Sequence, residues 1–304
     1  MASAPGKVIL FGEHAVVFGE PALAMAIERR TKVEVQKGDR PMLNGRPFTR
    51  EEYPYLFDSL QRALGSPDCS VSVRSTLPLG GGLGSSASLA VACIASAWGP
   101  PVRPEKTARE GYEVELAVQG RASPIDTSTC TLGQGVLFQR EKGAGFVWEI
   151  ERGGVRWNVH RMGLPECYFV IGMSGIPSPT GPMVAGVKAR VEGNGEARDA
   201  IVRIGEIVRE GLKALQQKDL EKVGGLMREN QSLLDTLGVG HPALTQMIEA
   251  VSSCSYGAKL TGAGGGGSMI ALVDDPKEAL GKIKALGFEG FFARPATEGV
   301  QFVD

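Results

Sequence analysis

Hydrophobic and polar positions alternate near the start of the chain and take on helical spacing further along. Residues 8–11 and 22–27 are apolar runs, and 31–35 alternate as a half-buried strand does. Leu56, Leu60 and Leu64 recur every four residues, which predicts a helix over 51–64. Residues 69–74 alternate again. A loop at 79–84 then leads into an apolar helix over 83–98, and a second helix is expected over 105–118. Residues 132–160 read as a β meander, and 167–171 as the strand that opens the second half. Beyond Asn194 the period is helical. Ile201, Ile204, Val208 and Leu215 form one stripe; Leu220, Val223, Met227, Asn230 and Leu234 form another. Residues 268–273 read as a strand, 276–286 as a helix and 288–293 as a last strand. The pattern predicts an α+β protein of two domains, 1–163 and 164–304. No repeat or low-complexity linker separates them, so they are expected to pack together.

Charge changes this picture by exclusion. Lys and Arg number 33 against 34 Asp and Glu, a net charge of −1. No basic excess suits a nucleic acid and no polybasic run suits an anionic membrane. Aromatics at 6% argue against a stacking platform for single strands. Residues 75–102 carry no charge, but prolines and glycines leave only 83–98 as one helix, short for a membrane span. The first ten residues lack the apolar core of a signal peptide. Cysteines stand at 69, 93, 130, 167 and 254, an odd count without C-x-x-C spacing, which predicts a reducing, cytoplasmic setting.

Glycine is the unusual residue: 42 of 304, about twice the usual share of about 7%. Four of the five residues 80–84 are glycine, followed by Ser85 and Ser86 and an apolar helix. Free N–H groups at a helix start attract phosphate, and glycine lets backbone approach it closely. The serines could cap the helix or help hold a phosphate-bound Mg²⁺. No lysine precedes them, so this is not a Walker A loop. A second loop, Lys259-Leu-Thr-Gly-Ala-Gly-Gly-Gly-Gly-Ser268, formally contains G-x-G-x-x-G, but a β run follows where a dinucleotide fold needs a helix. Glu115 and Asp126 offer two carboxylates eleven residues apart, Asp126 between a helix and a strand. Lys7 precedes the first buried strand and Glu13-His14 follows it. His160 and His241 read as surface or turn residues. A Ser/His/Asp hydrolase finds no G-x-S-x-G elbow.

These segments, in this order, resemble the three motifs of the GHMP kinase superfamily. The stretch from Ser3-Ala-Pro-Gly-Lys through Gly-Glu-His to Pro-Ala-Leu-Ala24 looks like the amino terminus of mevalonate kinases. The compact length is similar to the archaeal ones. The resemblance implies an amino-terminal domain like the second domain of ribosomal protein S5 and a ferredoxin-like carboxy-terminal domain. It implies transfer of a phosphoryl group from ATP to the 5-hydroxyl of mevalonate, a step of isoprenoid biosynthesis. Asp126 would be the base or orienting group, with Lys7 beside it stabilising charge at the transferring group. Ser86 and Glu115 would hold Mg²⁺. The nucleotide would meet Pro78, Leu79, Gly80, Gly81, Gly82, Leu83, Gly84, Ser85, Ser86, Ala87 and Ser88, and Gly262, Ala263 and Gly264. His14 and Thr180 would face mevalonate. The implied partners are ATP and mevalonate, with no nucleic acid or membrane; a homodimer is the assembly to test.

Three residues depart from the family pattern. Pro124 stands where many members have Gly, Gln119 where His is common, and Gly181 where many have Lys. The rival readings are a GHMP kinase acting on phosphomevalonate, a sugar or homoserine, and a nucleotide-binding sensor without catalysis. Retention of Lys7, Glu115 and Asp126 together argues against a sensor, which needs no base.

Overall fold

The computed structural model describes residues 1–120, 122–152 and 154–304. The amino-terminal stretch forms two long strands, β1 (Ala2–Phe11) and β2 (Ala22–Lys37), joined through a 3-10 turn at Ala15–Phe18. The two runs expected at 22–27 and 31–35 are one strand, since no proline or glycine interrupts 22–37. Register shifts against β1 at Pro5/Gly6 and Ile9/Phe11 absorb its change of pattern.

β5 (Cys69–Ser75) pairs with the far half of β2, and β6 (Gly135–Gln139) with its start. The short strands β3 (Met42–Leu43) and β4 (Arg46–Pro47) extend the β5 edge. β8 (Val155–Met162) lies between β6 and β7 (Phe146–Arg152). Residues 132–160 are therefore not a simple meander. β8 buries Asn158, Val159 and His160 in succession and takes the inner place, while the more exposed β7 is the edge. α1 (Pro54–Leu64), α2 (Ser85–Trp98), α3 (Pro104–Gln119) and α4 (Ile125–Leu132) pack together, with α2 and α4 against β1 and β2.

α4 is a helix where the sequence reads as a connection. Its threonines favour extended backbone. Pro124, at φ −74°, starts the turn instead, and the Thr129 hydroxyl donates to Ile125 O at 2.6 Å. Burial of Ile125, Cys130 and Leu132 then overrides propensity.

The second sheet has four antiparallel strands in the order β10 (Gly257–Thr261), β11 (Ser268–Val273), β9 (Tyr168–Met173) and β12 (Glu289–Ala293). α6 (Gly195–Gln216) and α7 (Leu220–Thr236) carry the two expected stripes, and α9 (Pro276–Ala285) follows β11. α5 (Thr180–Gly193), α8 (Pro242–Val251) and β10 are additional to the sequence reading. The α+β class is as expected. The 163/164 division falls between β8 and β9, but the chain returns at its end. β13 (Gln301–Phe302) pairs with β1, so these residues fold with the first sheet.

One core cluster takes Val8, Leu10, Met25 and Ile27 from the first sheet and Phe169, Ile171, Ile270 and Leu272 from the second. Val208, Leu215 and Met227 of α6 and α7 complete it. Separating the halves would expose these together, at roughly 1.5–3 kcal/mol for each large side chain. They form one packed body, as the missing linker implies.

His160 corrects a sequence expectation. It is fully buried in β8, where Nε2 accepts from the Gly143 N–H at 3.1 Å and Phe146 packs edge-on. His241 does lie at a turn, accepting at Nδ1 from the Ala243 N–H at the start of α8. The five cysteines are unpaired, four of them buried. Among the described residues no helix is long and apolar enough to cross a membrane.

Candidate active site

α2 starts where Gly84 turns the chain through φ 74°, a left-handed conformation that a side chain resists. A Cβ there would also lie 2.8 Å from Lys7 Cγ. Among the described residues no side chain caps the first turn, so Ser85 and Ser86 are not caps. The first intrahelical bond runs from the Ser88 N–H to Gly84 O at 2.8 Å. The N–H groups of Ser85, Ser86 and Ala87 precede it, at the positive end of the helix, on the wall of a cavity of about 290 Å³.

β1 runs beneath this loop. The Lys7 N–H donates to Leu83 O at 2.9 Å, and Lys7 Nζ donates to Gly82 O at 3.1 Å. The same Nζ lies 3.1 Å from Asp126 Oδ1. α4 places Asp126 in its first turn, where a helix favours a carboxylate. Pro124, a departure from the family pattern, is what initiates that turn. α3 brings Glu115 to the same cavity. Burial, and then the charge of Asp126, push the Glu115 pKa well above the usual carboxylate range, against the pull of Lys7.

The second glycine loop, residues 259–268, closes the other side. Ser268 Oγ donates to Gly81 O at 2.8 Å, tying it to the first loop. Ser178 Oγ donates to Gly264 O at 2.6 Å, and the Gly267 N–H to Ile176 O at 2.8 Å. These bonds seat the segment before α5 and bring exposed Thr180 to the cavity rim. Gly181 follows in the first turn of α5 with open space around it.

His14 is buried at φ 61°, a strained position for a non-glycine residue. Its Nε2 is 3.0 Å from Ala263 O. A carbonyl only accepts, so Nε2 carries the proton. Burial lowers the pKa below the ordinary 6.5, which favours the neutral ring, and among the described residues Nδ1 is an acceptor without a partner.

The cavity thus gathers Lys7, His14, Glu115, Asp126 and Thr180 with residues 80–87, Gly262 and Ala263. Four expected contacts lie elsewhere. Ser88 is fully buried and its hydroxyl donates to Ala4 O at 2.8 Å, which consumes it structurally. Pro78 and Leu79 line a groove on the outer side of the loop, with Leu79 88% exposed. Gly264 does not line the cavity, and a Cβ there would run into Val239 O.

Several residues outside the expected set also shape the site. Gln119, the replacement for a common His, donates from Nε2 to Tyr55 Oη at 2.5 Å. Thr261 Oγ1 bonds both the N–H and the C=O of Ile9, at 2.9 and 3.0 Å. Glu13 lines the cavity and pairs with Lys259, both fully buried. The signal for that pair was a lone charge of each sign within an apolar stretch.

Ser86, Glu115 and Asp126 present oxygen donors of the kind Mg²⁺ takes. Among the described residues no group of three or more His, Cys, Asp or Glu side chains is built to hold a metal alone. Mg²⁺ commonly takes one or two carboxylates and completes its shell with water and phosphate oxygens. A buried Glu115 whose charge is opposed by burial and by Asp126 is a donor that a cation would relieve, so the residues fit the ion.

Comparison with known proteins follows the same outline. Residues 53–134 match the GHMP kinases N terminal domain, and 212–289 match GHMP kinases C terminal. The mevalonate kinase of Thermococcus sibiricus is 32% identical over 346 aligned residues, covering 100% of this chain and 98% of its own. That of Methanothermobacter thermautotrophicus is 36% identical over 300, covering 92% and 94%. The crystal structure of the Methanococcus jannaschii mevalonate kinase superposes with a TM-score of 0.80 at 26% identity, over 98% of each chain. With glycine loops, paired carboxylates and buried lysine in one cavity, and relatives matched end to end, the chain belongs to the GHMP kinases and, within them, to the mevalonate kinase family.

Proposed function

We propose that this protein transfers the γ-phosphoryl group of ATP to the 5-hydroxyl of mevalonate, giving 5-phosphomevalonate for isoprenoid synthesis in the cytoplasm. The observation that carries the reading is the Lys7–Asp126 pair, 3.1 Å apart, beside Glu115 and the free amino end of α2. A cation, an acceptor and an anion-binding helix end in one cavity are what phosphoryl transfer to an alcohol requires.

In this reading the triphosphate lies on the N–H groups of Ser85, Ser86 and Ala87, with the 80–84 loop and Gly262–Ala263 around it. Ser86 and Glu115 would hold Mg²⁺, which when bound offsets phosphate charge during transfer. Asp126 accepts a hydrogen bond from the 5-hydroxyl, aims that oxygen at the γ-phosphorus and takes the hydroxyl proton as the new O–P bond forms and the bond to the departing ADP breaks. Lys7, held by Gly82 O and Asp126, balances charge at the transferring group. Because the transition state is loose, positioning accounts for much of the work of Asp126. His14 and Thr180 meet the rest of mevalonate.

The test is turnover of ATP against a panel of alcohols: mevalonate, phosphomevalonate, galactose and homoserine. Mevalonate is expected to give the highest kcat/KM, with phosphate on its 5-oxygen by NMR. Efficient phosphorylation of another alcohol with none of mevalonate would overturn the assignment. Light scattering on the same preparation decides whether the enzyme is a homodimer.

A further inference from the structure

The Glu13–Lys259 pair takes no part in the mechanism above. Both side chains are fully buried, and they come from opposite ends of the chain. Glu13 follows β1, and Lys259 sits in β10. Lys259 Nζ bonds Glu13 Oε1 and also Leu260 O, the latter at 2.7 Å. A buried ion pair of this kind adds little net stability, because desolvation offsets the attraction. Among the described residues no donor reaches Glu13 Oε2.

The next residue is His14, with a strained backbone and a protonated Nε2; among the described residues its Nδ1 is an acceptor without a donor. Both residues line the active cavity. A carboxylate oxygen and a bare imidazole nitrogen do not attract a triphosphate. Both atoms are shut off from solvent and neither suits an anion, so in the reading above this part of the wall faces the alcohol through the placement of His14.

We propose that Lys259 is a positioning residue for the alcohol substrate: by holding Glu13 it fixes the turn after β1 and so the placement of His14. Lys259 touches no substrate itself. The inference rests on the mevalonate reading above.

Steady-state kinetics on Lys259→Met tests it, with mevalonate varied at saturating ATP and ATP varied at saturating mevalonate. The KM for mevalonate is expected to rise about tenfold or more while the KM for ATP stays within about twofold. A merely structural lysine would lower the melting temperature and the yield of active enzyme but leave both KM values alone. An unchanged KM for mevalonate, or an equal rise of both, overturns the proposal. Should the single variant fail to fold around an unpaired carboxylate, Glu13→Gln/Lys259→Met removes both charges and carries the same two expectations. The wild-type control isolates the substrate assignment. If wild type phosphorylates a different alcohol, the assignment fails, and Lys259 is judged by the same KM split with that alcohol.

Discussion

Replacing Asp126 with Asn tests the reacting centre with the least change of shape. The side chain keeps its size and loses its charge and its basic oxygen. At 3.1 Å the attraction between Lys7 and Asp126 is at most about 5 kcal/mol for an effective dielectric near 20. Desolvation of a lysine side chain only 4% exposed offsets much of that. In the variant, Gly82 O still accepts from Lys7, and the amide oxygen replaces the carboxylate as a neutral acceptor. The net loss of stability is the difference between a charged and a neutral hydrogen bond, about 1–2 kcal/mol. In a chain of this size that lowers Tm by only a few degrees. The expected effect on chemistry is larger. A positioned acid or base contributes roughly 10²–10⁴ in kcat, or about 3–5 kcal/mol of barrier. The assay is ADP release with mevalonate varied at saturating Mg·ATP, beside calorimetry with a non-hydrolysable ATP analogue. The KM for mevalonate and the analogue affinity should stay near wild type, which marks an interaction made in the transition state. A kcat within about threefold of wild type refutes the assignment. A large rise in KM with little change in kcat reduces Asp126 to a binding group. Loss of analogue affinity means that the roles of Asp126 and Glu115 are exchanged.

Glu115→Gln should weaken Mg·ATP binding and turnover, yet raise the stability of the ligand-free protein above pH 7. The wild-type pKa is raised from 4.5, so the Glu115 contribution to stability is full below 4.5 and is lost as pH rises through the folded value. The Tm difference, variant minus wild type, should therefore grow from pH 5 to pH 8 at roughly constant ionic strength; a flat difference contradicts the raised pKa. Gly82→Val places a β-branched residue at φ 71° with nothing among the described residues within 4 Å of its Cβ, so the expected costs are strain of roughly 1–2 kcal/mol and a side chain in the cavity mouth. Analogue affinity should fall further than stability, and unchanged affinity with a large loss of Tm would make Gly82 a turn residue only. Thr261→Val leaves the Ile9 N–H and C=O without their side-chain partner, at about 1–3 kcal/mol for each unsatisfied group. Chemical denaturation should show that loss, and a midpoint equal to wild type would mean that water replaces the hydroxyl.

Legibility in the sequence followed the range of each signal. The stripes of α6 and α7 needed only neighbours three and four residues away, and both helices form where the stripes lie. Lys7, Glu115 and Asp126 were legible through the resemblance to the GHMP kinase motifs, since either acid alone reads as a surface charge, and the structure brings all three to one cavity. α5 was hidden differently. Met183, Val187 and Val191 recur every four residues, but Gly181, Pro182 and Gly186 obscure them. α4 was hidden by its threonines, whose preference yields only once Ile125 and Cys130 find the core. The order of β7 and β8 depends on which strand has more to bury, a comparison that no local window makes. The same holds for Glu13 and Lys259, 246 residues apart, and for His160, whose burial is set by neighbours on other strands.

The bonds that join the two halves around the cavity are nearly all polar. Thr261 holds Ile9, Ser268 holds Gly81, His14 meets Ala263, and Lys259 pairs with Glu13. Each links residues 259–268 to β1, to the turn after it or to the 80–84 loop. The shared apolar core supplies most of the attraction, but burial is non-directional and changes little when two faces slide slightly. A hydrogen bond weakens steeply once its distance or angle leaves a narrow range. Phosphoryl transfer is as sensitive, because a misplacement of about 1 Å between attacking oxygen and phosphorus costs about 10²-fold in rate. The polar stitches therefore set the register of the halves where the reaction needs it, and the core only holds them together. This division also accounts for the second glycine loop, anchored at Thr261 and at Ser268. Between those anchors the residues that face the cavity are Gly262 and Ala263, small enough to leave the space to a ligand.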